Sequence, residues 1–238
     1  MATKSPARAV ILRLLFGLLY RSRTLYWLAS TIPFAGQWRV WQRLVIPRIL
    51  GRDVLEIGCG IGTLLTDMVK AGYRCTAVDR SPQMVAATRD RLRSKGVTAF
   101  TPVLEASAQK LPFAAASFDT VVSTFPTEYV QDPATLREVG RVLRPGGRYI
   151  VVLSASFLRN ARLLTPLAWV QDAVYGRNAT PNEKACMISN TLVKAITFEA
   201  GGLSGKTECV RGPFWEAYLL IGDKPRPVTT PLPALEPR

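Results

Sequence analysis

Three glycines at alternate positions, Gly58, Gly60 and Gly62, follow the apolar run Val54-Leu55-Glu56-Ile57, and an aspartate, Asp79, stands 21 residues after the first of them. Glycines let a backbone turn with positive φ and let a ligand lie directly against it. A carboxylate at this distance, closing the next strand of a doubly wound α/β fold, reaches a ribose hydroxyl. The combination describes a site for an adenosine-containing cofactor. Glu56, two residues before the first glycine, narrows the choice. A carboxylate there repels the pyrophosphate of a dinucleotide and favours a cationic sulfonium with an amino-acid ammonium. The spacing is G-x-G-x-G, with Thr63 next, and not the G-x-G-x-x-G of nicotinamide enzymes.

Alternating strand and helix signals position these residues. Val54–Ile57 reads as a first strand, Thr63–Ala71 as a helix closed by Gly72, and Tyr73–Val78 as a second strand. Ser81-Pro82 opens a helix to about Ser94, with Ser81 as N-cap. Thr98–Leu104 is a third strand and Phe118–Ser123 a fourth. Asp132-Pro133 starts a helix through Val142, and Pro145-Gly146-Gly147 turns into a fifth strand, Arg148–Leu153. Such repetition predicts an α/β fold: a doubly wound, mostly parallel seven-stranded sheet with helices on both faces. Ala155–Lys184 has a helical pattern and reads as an insertion. A helix over Ser189–Ala200, capped at Gly201-Gly202, and two closing strands, Thr207–Arg211 and Trp215–Ile221, complete the expected order. Three segments follow: a basic, aromatic-rich helical cap (1–50), an α/β domain (51–223) with a substrate-side helical insertion (155–188), and a Pro-rich, extended tail (224–238).

Composition bounds the rest. The 238 residues carry 31 Lys and Arg against 17 Asp and Glu, a formal charge of +14, and no histidine. Residues 1–52 hold nine basic side chains and no acidic one, so this short segment supplies most of the excess. Anionic partners suit such a surface: lipid headgroups, nucleic acid or an anionic substrate. The apolar run from Ala9 to Tyr20 is too short to span a bilayer and is followed by Arg21 and Arg23 without a cleavage site. It is expected to pack on the domain or lie on a membrane surface. Cys59, Cys75, Cys186 and Cys209 are far apart with no ligand-spaced histidine, which argues against a metal site or disulfide framework and for reduced thiols in the cytoplasm. Trp38, Trp41 and Val45 recur at helical spacing with Arg39 and Arg43 on another face.

Four blocks occur in an order that resembles the class I S-adenosylmethionine-dependent methyltransferases, especially their small-molecule, type 11-like branch. They are Val54–Gly62, Ala77–Ser81, Leu111-Pro112-Phe113 with Ser117-Phe118-Asp119, and Arg141-Val142-Leu143-Arg144-Pro145-Gly146-Gly147. The resemblance runs from about Arg52 to Leu153. It implies S-adenosylmethionine as cofactor, with Gly58, Cys59 and Gly60 against its methionine part and Glu56 near the ammonium. It also implies Asp79 on both ribose hydroxyls, Arg80 and Met84 flanking adenine, Ser107, Ala108 and Gln109 at the edge of the base, and Thr124 at the methionine end. The family usually carries Asp where this chain has Ser107, a weaker partner for the adenine amino group.

Methyl transfer is an in-line displacement that asks the protein to align nucleophile and methyl and to exclude water. A general base is required only where the nucleophile must lose a proton, and the absence of histidine leaves Glu128 and Tyr129, after the fourth strand, as candidates. The aromatic N-terminus and the insertion point to a small hydrophobic acceptor: a quinone precursor, lipid or secondary metabolite. Alternatives are a methyltransferase-fold binding protein without turnover and a nicotinamide oxidoreductase. Nucleic acid fits poorly, since Thr124-Phe125-Pro126-Thr127 lacks the Asn/Asp-Pro-Pro-aromatic pattern of amino-directed base methyltransferases. A cytoplasmic protein is expected, in peripheral contact with an anionic inner membrane surface through residues 1–50 in one reading.

Overall fold

The structure is a computed structural model that describes residues 36–97, 100–126, 128–157, 196–198 and 202–226, with backbone alone for Glu128, Gln131 and residues 196–198. The expected helices before residue 36 and over 158–188 lie outside the described residues.

The described residues begin with a short helix α1 (Gln37–Gln42) and a 3₁₀ turn (Arg43–Arg48). Then follow β1 (Asp53–Ile57), α2 (Thr63–Lys70), β2 (Arg74–Asp79), α3 (Pro82–Ser94), β3 (Val103–Glu105) and β4 (Phe118–Thr124). A 3₁₀ turn (Glu128–Gln131), α4 (Pro133–Val142), β5 (Leu143–Phe157), β6 (Ile196–Phe198), β7 (Leu203–Arg211) and β8 (Trp215–Asp223) complete the order. Local chemistry sets the helix starts. Ser81 accepts from Met84 N and Asp132 Oδ1 accepts from Ala134 N at 2.8 Å, and each cap is followed by proline.

The strands form one sheet in the order β3-β2-β1-β4-β5-β8-β7-β6. Strands β3 to β5 pair in parallel, and β8 runs antiparallel between β5 and β7. Both faces of β1 are covered, so Val54, Leu55, Glu56 and Ile57 are all buried. Trp41, Leu64, Leu65, Met68, Val85 and Leu92, from the 3₁₀-extended α1, α2 and α3, pack on one face; Leu136, Val139 and Val142 of α4 pack on the other. The strand order reverses between β1 and β4, and it is beyond the carboxyl ends of strands at such a switch point that open α/β sheets bind ligands.

Three expectations need correction. Among the described residues the sheet carries, beside the seven strands expected, a short edge strand: Ile196–Phe198, expected inside a helix over Ser189–Ala200, pairs with Leu203–Gly205. Ile-Thr-Phe is β-favouring, and the positive φ of Gly202, 63°, serves a hairpin as readily as a helix end. Strand β5 continues to Phe157, so Ala155–Phe157 is not part of a helical insertion; Trp215–Tyr218 of β8 supply its partner. Within β5, the 143–147 stretch bulges out of register, which is the expected Pro-Gly-Gly turn. Finally, Lys224 belongs to the domain and not to an extended tail. Its N–H donates to Gly147 O, its carbonyl accepts from Gly146 N, and its ammonium donates to the Gly140 and Leu143 carbonyls at 2.6 and 2.7 Å, closing the end of α4.

Candidate cofactor and acceptor site

The turn after β1 is shaped by its own backbone. Gly58, Gly60 and Gly62 have φ of 75°, 55° and 72°. Gly58 N and Cys59 N donate to Val78 O at 2.8 and 3.3 Å, tying the turn to the end of β2. A Cβ at Gly58 would stand 2.7 Å from Tyr129 Oη, and one at Gly62 would stand 2.7 Å from Thr88 Cγ2. Glycine is therefore required at both positions by conformation and by space. Thr88, fully buried on α3, donates to Gly60 O at 2.7 Å and lies 3.6 Å from Cys59 Sγ.

Asp79 closes β2 with both oxygens oriented. Oδ2 accepts from Gly60 N and Oδ1 from Ser81 N, each at 2.9 Å. Burial raises its pKa against the lowering effect of these bonds. A carboxylate fixed in this way retains lone pairs for two neighbouring hydroxyls. Arg80 is exposed, and Met84 is buried with Ile61 and Ala87 in a small apolar cluster.

Glu56 is the electrostatic anomaly of the chain. It is 1% exposed, and its Oε2 has no hydrogen-bond partner. Burial, reinforced by the charges of Asp79 and Asp67, pushes its pKa up to about 8. Asp67 itself is matched: Arg39 grips both its oxygens, with Nε to Oδ2 at 2.9 Å, and Arg43 Nε lies at 3.8 Å. The neighbourhood of Glu56 thus carries acidic charge that no cation of the described residues contacts at Glu56.

An aromatic wall rises beside this acidic floor. Trp38 stacks on Phe125 at 4.1 Å, and Trp41 meets Phe125, Phe157 and Trp215 at 6.3, 5.5 and 6.2 Å. Phe125, just beyond β4, has φ of 50°, a conformation that strains a residue with a side chain and that recurs at ligand sites. Gln42 Nε2 donates to Thr124 Oγ1 at 3.1 Å, so α1 is pinned to the exit of β4.

On the opposite face, Ser123 Oγ donates to Ile57 O at 3.0 Å and lies 2.8 Å from Tyr129 Oη, which is 3.4 Å from the same carbonyl. The Tyr129 hydroxyl is therefore brought to the glycine turn, while the side chain of Glu128 lies outside the described residues. Ser107 sits in a turn after β3, donating to Gln109 Oε1 and accepting from Gln109 N at 3.3 Å, with Ala108 buried beside it. Gln109 Nε2 in turn donates to Asp132 Oδ2 at 3.0 Å. Glu105 is exposed.

Sequence reasoning missed Thr88, Ser123, Asp67 and Gln42. Thr88 was within reach, because Met84, Ala87 and Thr88 share one face of a helix that was expected. The later sequence blocks build scaffold. Arg141 donates to the Phe113 and Leu111 carbonyls and pairs with Glu138, which accepts from Leu111 N at 2.7 Å. Asp119 accepts from Arg52 N and Asp53 N and pairs with Arg144, so it fixes the start of β1. Among the described residues there is no cluster of side chains able to hold a metal ion.

Comparison with known proteins agrees with this geometry. Residues 55–151 match the family described as methyltransferase domain. The demethylmenaquinone methyltransferase of Corynebacterium glutamicum is 34% identical over 154 residues, covering 63% of this chain and 60% of the relative. The sterol 4-C-methyltransferase of Caenorhabditis elegans is 31% identical over 98 residues, 41% of this chain and 29% of the relative. The chain thus spans about 60% of the length of the first of these relatives. A putative S-adenosyl-L-methionine-dependent methyltransferase from Methanococcus maripaludis shares the fold, with a TM-score of 0.60 at 18% identity over 84% of this chain and 91% of that one. With the strand order, the glycine turn and the matched stretch in agreement, residues 55–151 are similar to the methyltransferase domain family, and the chain shares the fold of S-adenosyl-L-methionine-dependent methyltransferases.

Proposed function

We propose that this protein transfers the methyl group of S-adenosylmethionine to a small, largely apolar acceptor. The observation that carries the reading is Glu56: a buried carboxyl with an unpartnered oxygen beside a glycine turn. A pKa of about 8 against an ordinary 4.5 means that ~5 kcal/mol opposes its ionisation. A unit positive charge at 4 Å supplies about 4 kcal/mol at a protein dielectric of 20. A cationic ligand nearly cancels that penalty, whereas a pyrophosphate would deepen it. Bound S-adenosylmethionine supplies a methyl group already activated by its sulfonium.

The chain's residues then divide the work. Gly58, Cys59 and Gly60 present backbone to the methionine portion, and Glu56 draws the ammonium. Asp79, held by Gly60 N and Ser81 N, receives the ribose hydroxyls. Met84 and Ala108 offer apolar surface to the base, with Arg80 and Ser107 at its rim, and Thr124 borders the methionine end. Trp38 and Phe125, backed by the buried Trp41, give the acceptor an apolar wall and keep water from the reacting carbon. Glu128, and Tyr129 once it has given up the phenolic proton it shares between Ser123 and Ile57 O, are the candidates to take a proton where the acceptor must lose one.

The acceptor class follows from this wall and from two relatives whose names specify a quinone precursor and a sterol. Methyl-labelled S-adenosylmethionine offered with a panel of isoprenoid quinone precursors, sterols, phenols and polar amines tests it. Label in the apolar fraction is expected; label only in polar amines contradicts it. Tight cofactor binding with no labelled product across a broad panel would favour the binding protein without turnover.

Peripheral attachment to anionic membrane is a separate proposal. No helix among the described residues is long and apolar enough to cross a membrane. Arg39, Arg43 and Arg48 are engaged by Asp67 and Glu208 within the fold, so attachment would rest on the basic residues nearer the N-terminus. Retention on vesicles of anionic lipid at low salt, lost at high salt, supports it; no retention at low salt removes it.

A further inference from the structure

Two buried oxygens on the α1–α3 side of the sheet have no hydrogen-bond donor among the described residues. Glu56 Oε2 is one, and Oε1 of Gln42, the last residue of α1, is the other. The Gln42 amide is not loose: its nitrogen donates to Thr124 Oγ1 at 3.1 Å. In the β1–β4 pairing Glu56 lies opposite Val122, and Thr124 follows two residues later on the same face. The two oxygens therefore lie on one face of the sheet, near the carboxyl ends of adjacent strands, where open α/β sheets bind ligands. The Tyr149 hydroxyl, also without a partner, belongs to the cluster on the other face. Buried acceptors left without donors are costly, and a pair of them at such a place calls for a ligand rich in N–H groups. A primary ammonium has three such donors and a charge, enough for both oxygens at once.

We propose that Gln42 is a positioning residue whose Oε1 accepts a hydrogen bond from the ammonium of S-adenosylmethionine, sharing that group with Glu56. The proposal rests on the cofactor reading above and extends it to α1. Since Trp38 and Trp41 lie on the same helix, cofactor binding fastens the aromatic wall, and the acceptor site is completed only after the cofactor is in place. The competing role for Gln42 is purely structural, holding α1 on β4 through Thr124.

Titration calorimetry with four ligands separates these roles. S-adenosylmethionine and S-adenosylhomocysteine carry ammonium and carboxylate, decarboxylated S-adenosylmethionine keeps only the ammonium, and 5′-methylthioadenosine has neither. In Gln42→Met the first three are expected to bind about tenfold or more weakly, as for loss of a hydrogen bond to a charged group, with methylthioadenosine unchanged. In Gln42→Glu, which keeps the acceptor oxygen, the ammonium-bearing ligands are expected to bind at least as tightly as in the parent. Equal loss for all four ligands, loss for every ligand except the decarboxylated one, or no loss would each overturn the proposal, as would failure of Gln42→Glu to hold the ammonium-bearing ligands. A parent protein that binds none of the four removes the cofactor reading itself, which is a different result.

Discussion

Glu56 and Asp79 are both carboxylates at strand ends, yet the fold gives them opposite tasks. Asp79 is locked by two backbone N–H groups and, in the proposed reading, receives the ribose hydroxyls. Replacing it with Ala is expected to weaken S-adenosylmethionine binding by 30-fold or more, because two charge-assisted bonds of roughly 2–4 kcal/mol together are lost. Burial and the nearby acidic charges raise the pKa of Glu56 to about 8, and in the proposed reading the cationic ligand ionises it. Affinity is therefore expected to rise from pH 6 to pH 8 in the parent, with proton release on binding, and to rise less in Glu56→Gln; parallel titrations in buffers of different ionisation enthalpy measure both. The residues legible in the sequence were those whose roles follow from spacing along one strand–turn–helix: Glu56, Gly58, Gly60, Asp79. Thr88, Ser123 and Gln42 were not, because their partners lie 28, 66 and 82 residues away, and nothing local marks a serine, threonine or glutamine for such a meeting.

At the scale of elements, the described part of the N-terminal segment is structural. Trp41 and Val45 are wholly buried in the main core cluster. Trp41→Ala is expected to lower global stability by 3–5 kcal/mol in urea unfolding, beyond any effect on acceptor binding. A loss under 1 kcal/mol would show that α1 is an appendage. The turn after β1 is similarly intolerant: Gly58→Ala meets both positive φ and the Tyr129 hydroxyl, and a second change, Tyr129→Phe, is expected to recover only the steric part of the lost thermal stability. Helices α3 and α4 were readable to within a residue because capping side chains and prolines mark their starts. Strand β6 and the end of β5 were misread because their strand character comes from an antiparallel neighbour distant in sequence, which overrides local pattern.

For the whole molecule, charge is balanced by position. The folded pKa of Glu56 lies above its ordinary value, so its contribution to stability is full below about pH 4.5 and is lost as pH rises toward 8. Asp53, Asp119, Glu138 and Glu208, each lowered in the fold, with arginine partners for all four, act in the opposite sense and lose their contribution as pH falls. Urea midpoints at pH 5 and pH 8 should show Glu56→Gln gaining on the parent at the higher pH; an equal difference at both pH values would place the Glu56 charge outside the core. A fold with this buried acid beside its glycine turn carries a stability defect that a cationic ligand repairs, so saturating S-adenosylmethionine, at about 100 times its Kd, should stabilise by about 2.7 kcal/mol or more.

The most direct test is calorimetric titration of the full chain at pH 7 with S-adenosylmethionine and, separately, with NAD. The account predicts one-site binding of S-adenosylmethionine with release of a proton, weakened in Asp79→Ala, and no heat from NAD. Binding of NAD without S-adenosylmethionine binding, or equal affinity of parent and Asp79→Ala, would contradict it.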